Sequence, residues 1–211
     1  MRIAIGIAYD GTSFDGWQSQ PSGNTVQDHL ERALSGIADE SIRLAGAGRT
    51  DAGVHACAQV AHFDTQVLRP DTAWVRGANA LLPSAVAVQW SVPVPEQFHA
   101  RYSASARSYR YVLYNHAVRP ALLAGKTGWF HGELDLAAMQ RAASSVVGEH
   151  DFSSFRSSEC QAKNPVRVME YAAVHSRGPY VIFDFSAHPG RPAPGEGRYK
   201  APNRNAGGRE K

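Results

Sequence analysis

Residues 46–56 carry the sequence Gly-Ala-Gly-Arg-Thr-Asp-Ala-Gly-Val-His-Ala and join two apolar runs, Ile42–Ala47 and Cys57–Phe63. Glycine is unfavourable inside a strand or a helix, so three glycines within eight residues indicate backbone that turns sharply or approaches a ligand. Between these glycines stand a guanidinium, Arg49, and a carboxylate, Asp51. The pattern predicts a loop between two strands that presents both charged groups, which we call the signature loop (residues 47–55).

The first half of the chain shows the order β-α-β-β-α-β around this loop. Arg2–Tyr9 alternates with isoleucine at positions 3, 5 and 7, the period of a half-buried strand. Thr25 and Asp28 have the spacing of a capping box before an apolar helical pattern. Pro70 opens a second helix with Trp74, Ala78 and Leu81 on one face, and Ala85–Trp90 follows as a strand. This order is that of the split ferredoxin-like unit, in which two helices cover one face of an antiparallel sheet.

A second, similar series begins after residue 105. Strands are predicted at Ser108–Tyr114, Val168–His175 and Tyr180–Phe185, with a short extended piece at Gly128–His131 and a helix capped by Asp135. The closing helix and strand of the unit are missing from the pattern. We therefore predict an α+β fold of two ferredoxin-like halves that share an antiparallel or mixed sheet, with the second half incomplete.

The predicted organisation is a first half at 1–105, a second half at 106–186 and a tail at 187–211. From His188 onward the sequence contains nine glycines or prolines and one aromatic residue. Such a composition buries too little apolar surface to offset its ordering entropy, so the tail is predicted to be disordered. Six Lys/Arg and two Asp/Glu make the tail basic, whereas residues 1–186 hold 16 basic and 17 acidic residues.

Composition places the chain among soluble globular proteins, with cytoplasm as the default compartment and no membrane segment expected. The two cysteines, Cys57 and Cys160, lie far apart without a Cys-x-x-Cys partner, so neither a disulfide nor a thiolate metal site is predicted. Any affinity of the folded part for nucleic acid must come from local basic patches. Candidates are Arg101, Arg107 and Arg110.

Several motifs together resemble the TruA family of tRNA pseudouridine synthases. They are Gly48–His55, Tyr9–Gly11 with Phe14–Gln20, Phe98–Arg101, Tyr109–Tyr111, and Gly148–Phe152 with Ser154 and Phe155. The resemblance implies an isomerase that converts uridines 38, 39 and 40 of the tRNA anticodon stem-loop to pseudouridine, acting as a homodimer. Because this reaction oxidises nothing and adds nothing, no metal or small-molecule cofactor is expected.

The chemistry needs an ionised carboxylate near ribose C1′ and the base, and the resemblance assigns this role to Asp51. The carboxylate either attacks C1′ or helps to remove a neighbouring proton, and the sequence leaves both routes open. The alternative for an aspartate in a glycine-rich loop is that its side chain satisfies loop amides.

Two further residues are assigned to the substrate. The resemblance gives Tyr109 the role of stacking on the flipped base, and the alternative is a core tyrosine on one strand face with Tyr111 and Leu113. Arg49 can bind a phosphate beside the flipped nucleotide or fix the carboxylate, and the alternative is a surface salt bridge.

The loop that follows the first strand carries Phe14, Trp17, Gln18 and Gln20. These side chains suit stacking on RNA and hydrogen bonding to it. A loop folded over its own small hydrophobic cluster is the alternative, and the sequence does not separate the two.

The sequence is also compatible with two rival functions. The first is an inactive or RNA-binding remnant of the family. The second is a hydrolase of another glycosidic bond, although the chain shows no recognisable second carboxylate for that chemistry.

The family continues after Ala187 with a His-His-Met-Val-Arg-Asn-type helix whose arginine pairs with the catalytic aspartate. Here a Gly/Pro/Arg-rich tail stands in place of that helix, which is the change of composition that a truncated or frame-shifted sequence would produce. We therefore predict that the chain lacks the arginine partner of Asp51, exposes apolar surface on the second sheet and is poorly active or unstable. The alternative is a true short variant whose basic tail binds RNA loosely.

Overall fold

The computed structural model describes residues 1–155 and 165–188. Their backbone groups into two compact units, one spanning Met1–Ala104 and one beginning at Ser105. Residues 189–211 lie outside the described part, so the predicted disorder of the tail stays a prediction, and Cys160 lies outside it as well.

The first unit is an antiparallel sheet with helical segments on one face. Its elements are β1 (Arg2–Tyr9), α1 (Val26–Ala38), β2 (Ala45–Gly46), β3 (Ala56–Asp64), a π-helical turn (Ala73–Gly77), α2 (Ala78–Leu81) and β4 (Val86–Val94). The strands pair in the order β2-β3-β1-β4. This is the predicted β-α-β-β-α-β unit, with its first strand in the centre of the sheet.

The structure confirms the two sequence patterns that predict β1 and the start of α1. Ile3, Ile5 and Ile7 are fully buried on one face of β1. At the start of α1, Asp28 N donates to Thr25 Oγ1 (3.2 Å) and Thr25 N donates to Asp28 Oδ2 (3.3 Å), which confirms the capping box.

The helical segment after Pro70 departs from the predicted pattern. Trp74 and Ala78 are buried, but Leu81, expected on the same face, is exposed. The π-helical turn Ala73–Gly77 explains the difference, because its wider turn shifts the residues that follow around the helix axis.

The second unit holds a five-stranded mixed sheet and one longer helix. Its elements are β5 (Arg107–Asn115), β6 (Gly128–Phe130), α3 (Leu136–Ser145), β7 (Gly148–Asp151), β8 (Val166–Arg177) and β9 (Tyr180–Ala187), with the strand order β6-β5-β9-β8-β7. Asp135 caps α3 as predicted, since its Oδ1 accepts from Ala138 N at 2.9 Å. Strand β7 was not predicted from the sequence.

The α+β class is confirmed. The sequence pattern predicts one sheet shared by both halves, whereas the hydrogen bonds of the described strands form two sheets, one in each unit. The apolar period of a strand specifies which face is buried and not which neighbour its edge binds, so the pattern could not distinguish these arrangements. No helix within residues 1–155 and 165–188 has the length and apolar composition needed to span a membrane.

A buried histidine on β3 gives the first unit a predicted pH dependence. His62 is 5% exposed, its Nδ1 accepts from Ala100 N at 3.2 Å, and burial lowers its pKa to about 4. Because this pKa lies below the ordinary value of 6.5, the unfolded chain takes up the proton first as the pH falls. The contribution of His62 to the free energy of unfolding should therefore be fully present above about pH 6.5. The free energy of unfolding should fall by roughly 1–3 kcal/mol toward pH 4.

Denaturant unfolding at several pH values between 7 and 4 measures this loss. His62→Gln removes the titrating group and should flatten the profile over that interval. Parallel profiles for the parent and the variant would show that His62 is not the source.

Candidate active site

The signature loop leaves β2 and returns as β3, and both of its ends are tied to the sheet. At the β2 end, Ala47 N donates to Val60 O (2.7 Å). Gln59 Nε2 donates to Gly48 O (2.8 Å). The turn itself needs Gly53, whose φ of +78° lies in the left-handed region. The polar contacts of β3 thus fix where the loop begins, and the pairing of Ala56 with Tyr9 of β1 fixes where it ends.

A second segment, residues 9–20, packs against the middle of the loop. Trp17 N donates to Thr50 O (2.9 Å), and Tyr9 Oη lies 2.8 Å from Thr50 Oγ1. Gly16 has a φ of +89°, and a Cβ there would lie 2.8 Å from Thr50 O. Thr50, the residue before Asp51, is thereby held through both its backbone and its side chain.

The aromatic residues of this segment belong to the core. Phe14 and Trp17 are buried, and the Trp17 ring lies so close to Gly46 that a Cβ there would come within 2.7 Å. The RNA-stacking interpretation of these two residues is therefore wrong, and the hydrophobic-cluster interpretation is confirmed for them. Gln18 and Gln20 are exposed, although Gln20 Nε2 donates to Asp15 O at 2.6 Å.

The far side of the loop is held by a histidine. His55 Nδ1 lies 3.1 Å from Gly11 N and 3.0 Å from Asp10 Oδ1. A neutral imidazole protonated on Nε2 accepts from Gly11 N, whereas a protonated imidazole donates to Asp10. His55 therefore ties the end of the loop to Asp10 and Gly11, a contact that no sequence pattern indicates.

Asp51 lies at the exposed tip of this supported loop. Its backbone carbonyl accepts from Val54 N at 3.2 Å. Within the described residues, its carboxylate makes neither an ion pair nor a hydrogen bond to a loop amide. No hydrogen bond in the described part of the chain supports the alternative in which Asp51 satisfies loop amides, and the carboxylate faces solvent.

Arg49 lies on the same loop and is also exposed. In residues 1–155 and 165–188 its guanidinium forms no ion pair, with Asp51 or with any other carboxylate. The surface salt bridge considered for Arg49 is not observed there.

Tyr109 lies on β5 in the second unit, opposite Phe185 of β9. Its side chain is 57% exposed, and the Tyr111 side chain is exposed as well, whereas Leu113 on the same face packs against the core. The core-tyrosine alternative is therefore not what the structure shows. The structure brings Arg49 and Asp51 onto one loop and places Tyr109 in the other unit.

Two of the three arginines suggested as basic-patch residues, Arg110 and Arg101, differ in their surroundings. Arg110 forms a bidentate ion pair with Asp184 (2.7 and 2.9 Å), and this hydrogen bonding lowers the pKa of the Asp184 carboxyl. Arg101 is exposed, with its guanidinium carbon 5.9 Å from the centre of the Tyr102 ring. The charge of Arg110 is thus balanced within its own sheet, which weakens its case as a phosphate ligand.

Comparison with known proteins gives the family. A family model described as tRNA pseudouridine synthase matches residues 5–103 and 142–188. The tRNA pseudouridine synthase A of Burkholderia thailandensis is 56% identical over 188 residues, which cover 89% of this chain and 70% of the relative. That of Methylobacillus flagellatus is 56% identical over 187 residues, covering 89% of this chain and 72% of the relative. The chain belongs to the TruA family of tRNA pseudouridine synthases, a family of isomerases.

Proposed function

We propose that the chain converts uridines 38, 39 and 40 of tRNA to pseudouridine, with Asp51 as the catalytic carboxylate. The proposal rests on the setting of Asp51. This residue is exposed, and its carboxylate has no partner among the described residues. Its neighbour Thr50 is held through both its backbone and its side chain. Such an arrangement keeps a charged group free for substrate while limiting its movement.

The reaction conserves atoms and needs no oxidant. The bond from ribose C1′ to uracil N1 breaks, the base turns, and C5 bonds to C1′. The proton on C5 is lost to solvent, and N1 gains one. Asp51 supports this sequence either by attacking C1′ or by helping to remove a neighbouring proton, and both routes use its ionised form.

The target base must leave the stacked stem, which costs a few kcal/mol. We propose that Tyr109 offsets part of this cost by stacking on the flipped base, in keeping with its exposed ring. Arg49 is proposed to bind a phosphate beside that nucleotide or to orient Asp51, and its unpaired state within the described residues leaves either role available.

The remaining proposals concern the setting of the enzyme. We propose that it works on tRNA as a homodimer in the cytoplasm and needs neither metal nor small-molecule cofactor. Among the described residues no group of three or more His, Cys, Asp or Glu side chains could hold a metal ion. A tRNA that carries tritium at uracil C5 and has cytidines at positions 38, 39 and 40 tests the site assignment, and it should release no tritium.

Tyr109 can be tested by two substitutions that separate its ring from its hydroxyl. Tyr109→Phe keeps the stacking face, whereas Tyr109→Ala removes it at a cost of roughly 1–3 kcal/mol per stacked base. We expect kcat/KM for tRNA to fall clearly further in the alanine variant.

The matched control is Tyr171→Ala, which removes a tyrosine of the same sheet that is 53% exposed and has no assigned role. It should leave kcat/KM near the parent value. Equal losses in both Tyr109 variants would assign the role to the hydroxyl, and no loss in either would remove Tyr109 from the site.

A further inference from the structure

Helix α1 buries two neighbouring polar side chains, Gln27 and Glu31, that have no role in the proposed reaction. Gln27 is 8% exposed and Glu31 is 7% exposed, one helical turn apart. Burial of an amide and a carboxylate is unfavourable unless each is hydrogen-bonded. Their partners therefore decide what the pair contributes.

Glu31 fixes the strand that leads into the signature loop. Its Oε1 accepts from Leu44 N (2.8 Å) and from Gln27 Nε2 (2.8 Å). Its Oε2 accepts from Arg43 (3.0 Å), whose side chain is 82% exposed. The hydrogen bond from Leu44 N to Glu31 also explains why β2 is shorter than predicted, since Leu44 N donates to a helix side chain and not to a neighbouring strand.

Gln27 fixes the segment on the other side of the loop. Its Oε1 accepts from Ser19 N (3.2 Å), and its Nε2 also donates to Leu44 O (3.3 Å). Its backbone N donates to Trp17 O (3.1 Å). The pair therefore connects residues 17–19 with residues 43–44 through one helix.

One of the connected segments contacts the residue next to Asp51, and the other leads into the signature loop. Trp17 N donates to Thr50 O (2.9 Å), and the Trp17 ring packs over Gly46, two residues after Leu44. We propose that Gln27 and Glu31 are positioning residues for Asp51, which act through Trp17 and through Leu44 on the two sides of the signature loop.

The catalytic part of this inference rests on the proposed function. A misplacement of about 1 Å in a reacting group can lower a rate by roughly a hundredfold. Loss of the pair should therefore lower kcat while leaving KM for tRNA nearly unchanged, because neither buried side chain is available to bind RNA.

The experiment compares variants that keep or remove single hydrogen bonds. Glu31→Leu leaves Leu44 N and one N–H of Gln27 Nε2 without an acceptor and should lower kcat by at least about tenfold, with KM within about twofold. Glu31→Gln keeps an oxygen for both buried donors and should stay near the parent. Arg43→Ala removes only the exposed ion pair and serves as the matched control.

A reciprocal exchange adds a rescue test. Gln27→Glu alone places two carboxylates together and should lower kcat, whereas Gln27→Glu combined with Glu31→Gln restores a donor and an acceptor between the two positions. The double variant should recover much of the lost kcat. Absence of recovery, or a kcat near the parent for folded Glu31→Leu, would overturn the proposal.

Amide hydrogen exchange supplies a readout that does not need activity. In Gln27→Glu and Glu31→Leu, the Trp17 and Leu44 amides should exchange faster, while β1 and β3 amides stay protected. Faster exchange throughout the first unit would assign the pair to general stability and overturn the proposal. If the parent chain itself forms no pseudouridine, the proposed function fails, and the exchange result still decides whether the pair positions the loop.

Discussion

Asp51→Asn is expected to abolish pseudouridine formation while leaving the fold and tRNA binding largely intact. The amide keeps the size of the side chain and removes the negative charge that either catalytic route requires. Because Asp51 is exposed and makes no ion pair within the described residues, its replacement breaks no stabilising contact there. Tritium release from tRNA labelled at uracil C5 measures the reaction, and a thermal melt measures the fold.

The control for this variant is Asp71→Asn, which makes the same change of charge at an exposed aspartate outside the signature loop. It should retain activity. A turnover of Asp51→Asn within about tenfold of the parent, equivalent to roughly 1.4 kcal/mol, would remove Asp51 from the catalytic role.

Gly11→Ala is expected to displace the signature loop and to lower both stability and activity. A Cβ at Gly11 would overlap the backbone carbonyl of Val54, and that carbonyl cannot rotate away as a side chain could. The same residue donates its N–H to His55 Nδ1, so the overlap also strains the support of the loop. We expect a loss of about 1–3 kcal/mol in the free energy of unfolding, together with a lower kcat.

Gly36→Ala is the matched control for this substitution. Gly36 lies within α1, and a Cβ there would meet only Leu81 Cδ1 at an ordinary 3.5 Å. Alanine is favoured over glycine inside a helix, so this variant should be more stable by roughly 0.5–1 kcal/mol. Equal stability of the parent and Gly11→Ala would show that the close approach of the two segments does not occur in solution.

The sequence predicts the elements whose signals are local. Alternating isoleucines fix β1, and a capping box fixes the start of α1, because both depend on residues within one element. Strand β2 was predicted too long because Leu44 N binds the carboxylate of Glu31, a partner 13 residues away that no local pattern indicates. Strand β7 was missed because Gly148–Asp151 carries no apolar alternation and depends on its pairing with β8.

The candidate site shows the same difference between features that local sequence indicates and features that depend on long-range contacts. The glycines of residues 46–53 indicate a loop made for a ligand, and the family motif selects Asp51 and Arg49 within it. The supports of that loop could not be predicted, since His55 with Gly11 and Trp17 with Thr50 join residues more than 30 positions apart. Their residue types suit many roles, and only the folded chain shows which groups they meet.

The measurement that tests the central claim most directly is tritium release by the 211-residue chain from tRNA labelled at uracil C5, with free uracil followed in the same samples. We predict slow, tRNA-dependent release of tritium without free uracil, in keeping with the poor activity expected from the replaced C-terminal helix, and loss of this release in Asp51→Asn. Binding of tRNA without release would contradict the claim and identify an RNA-binding remnant, whereas free uracil would identify a hydrolase.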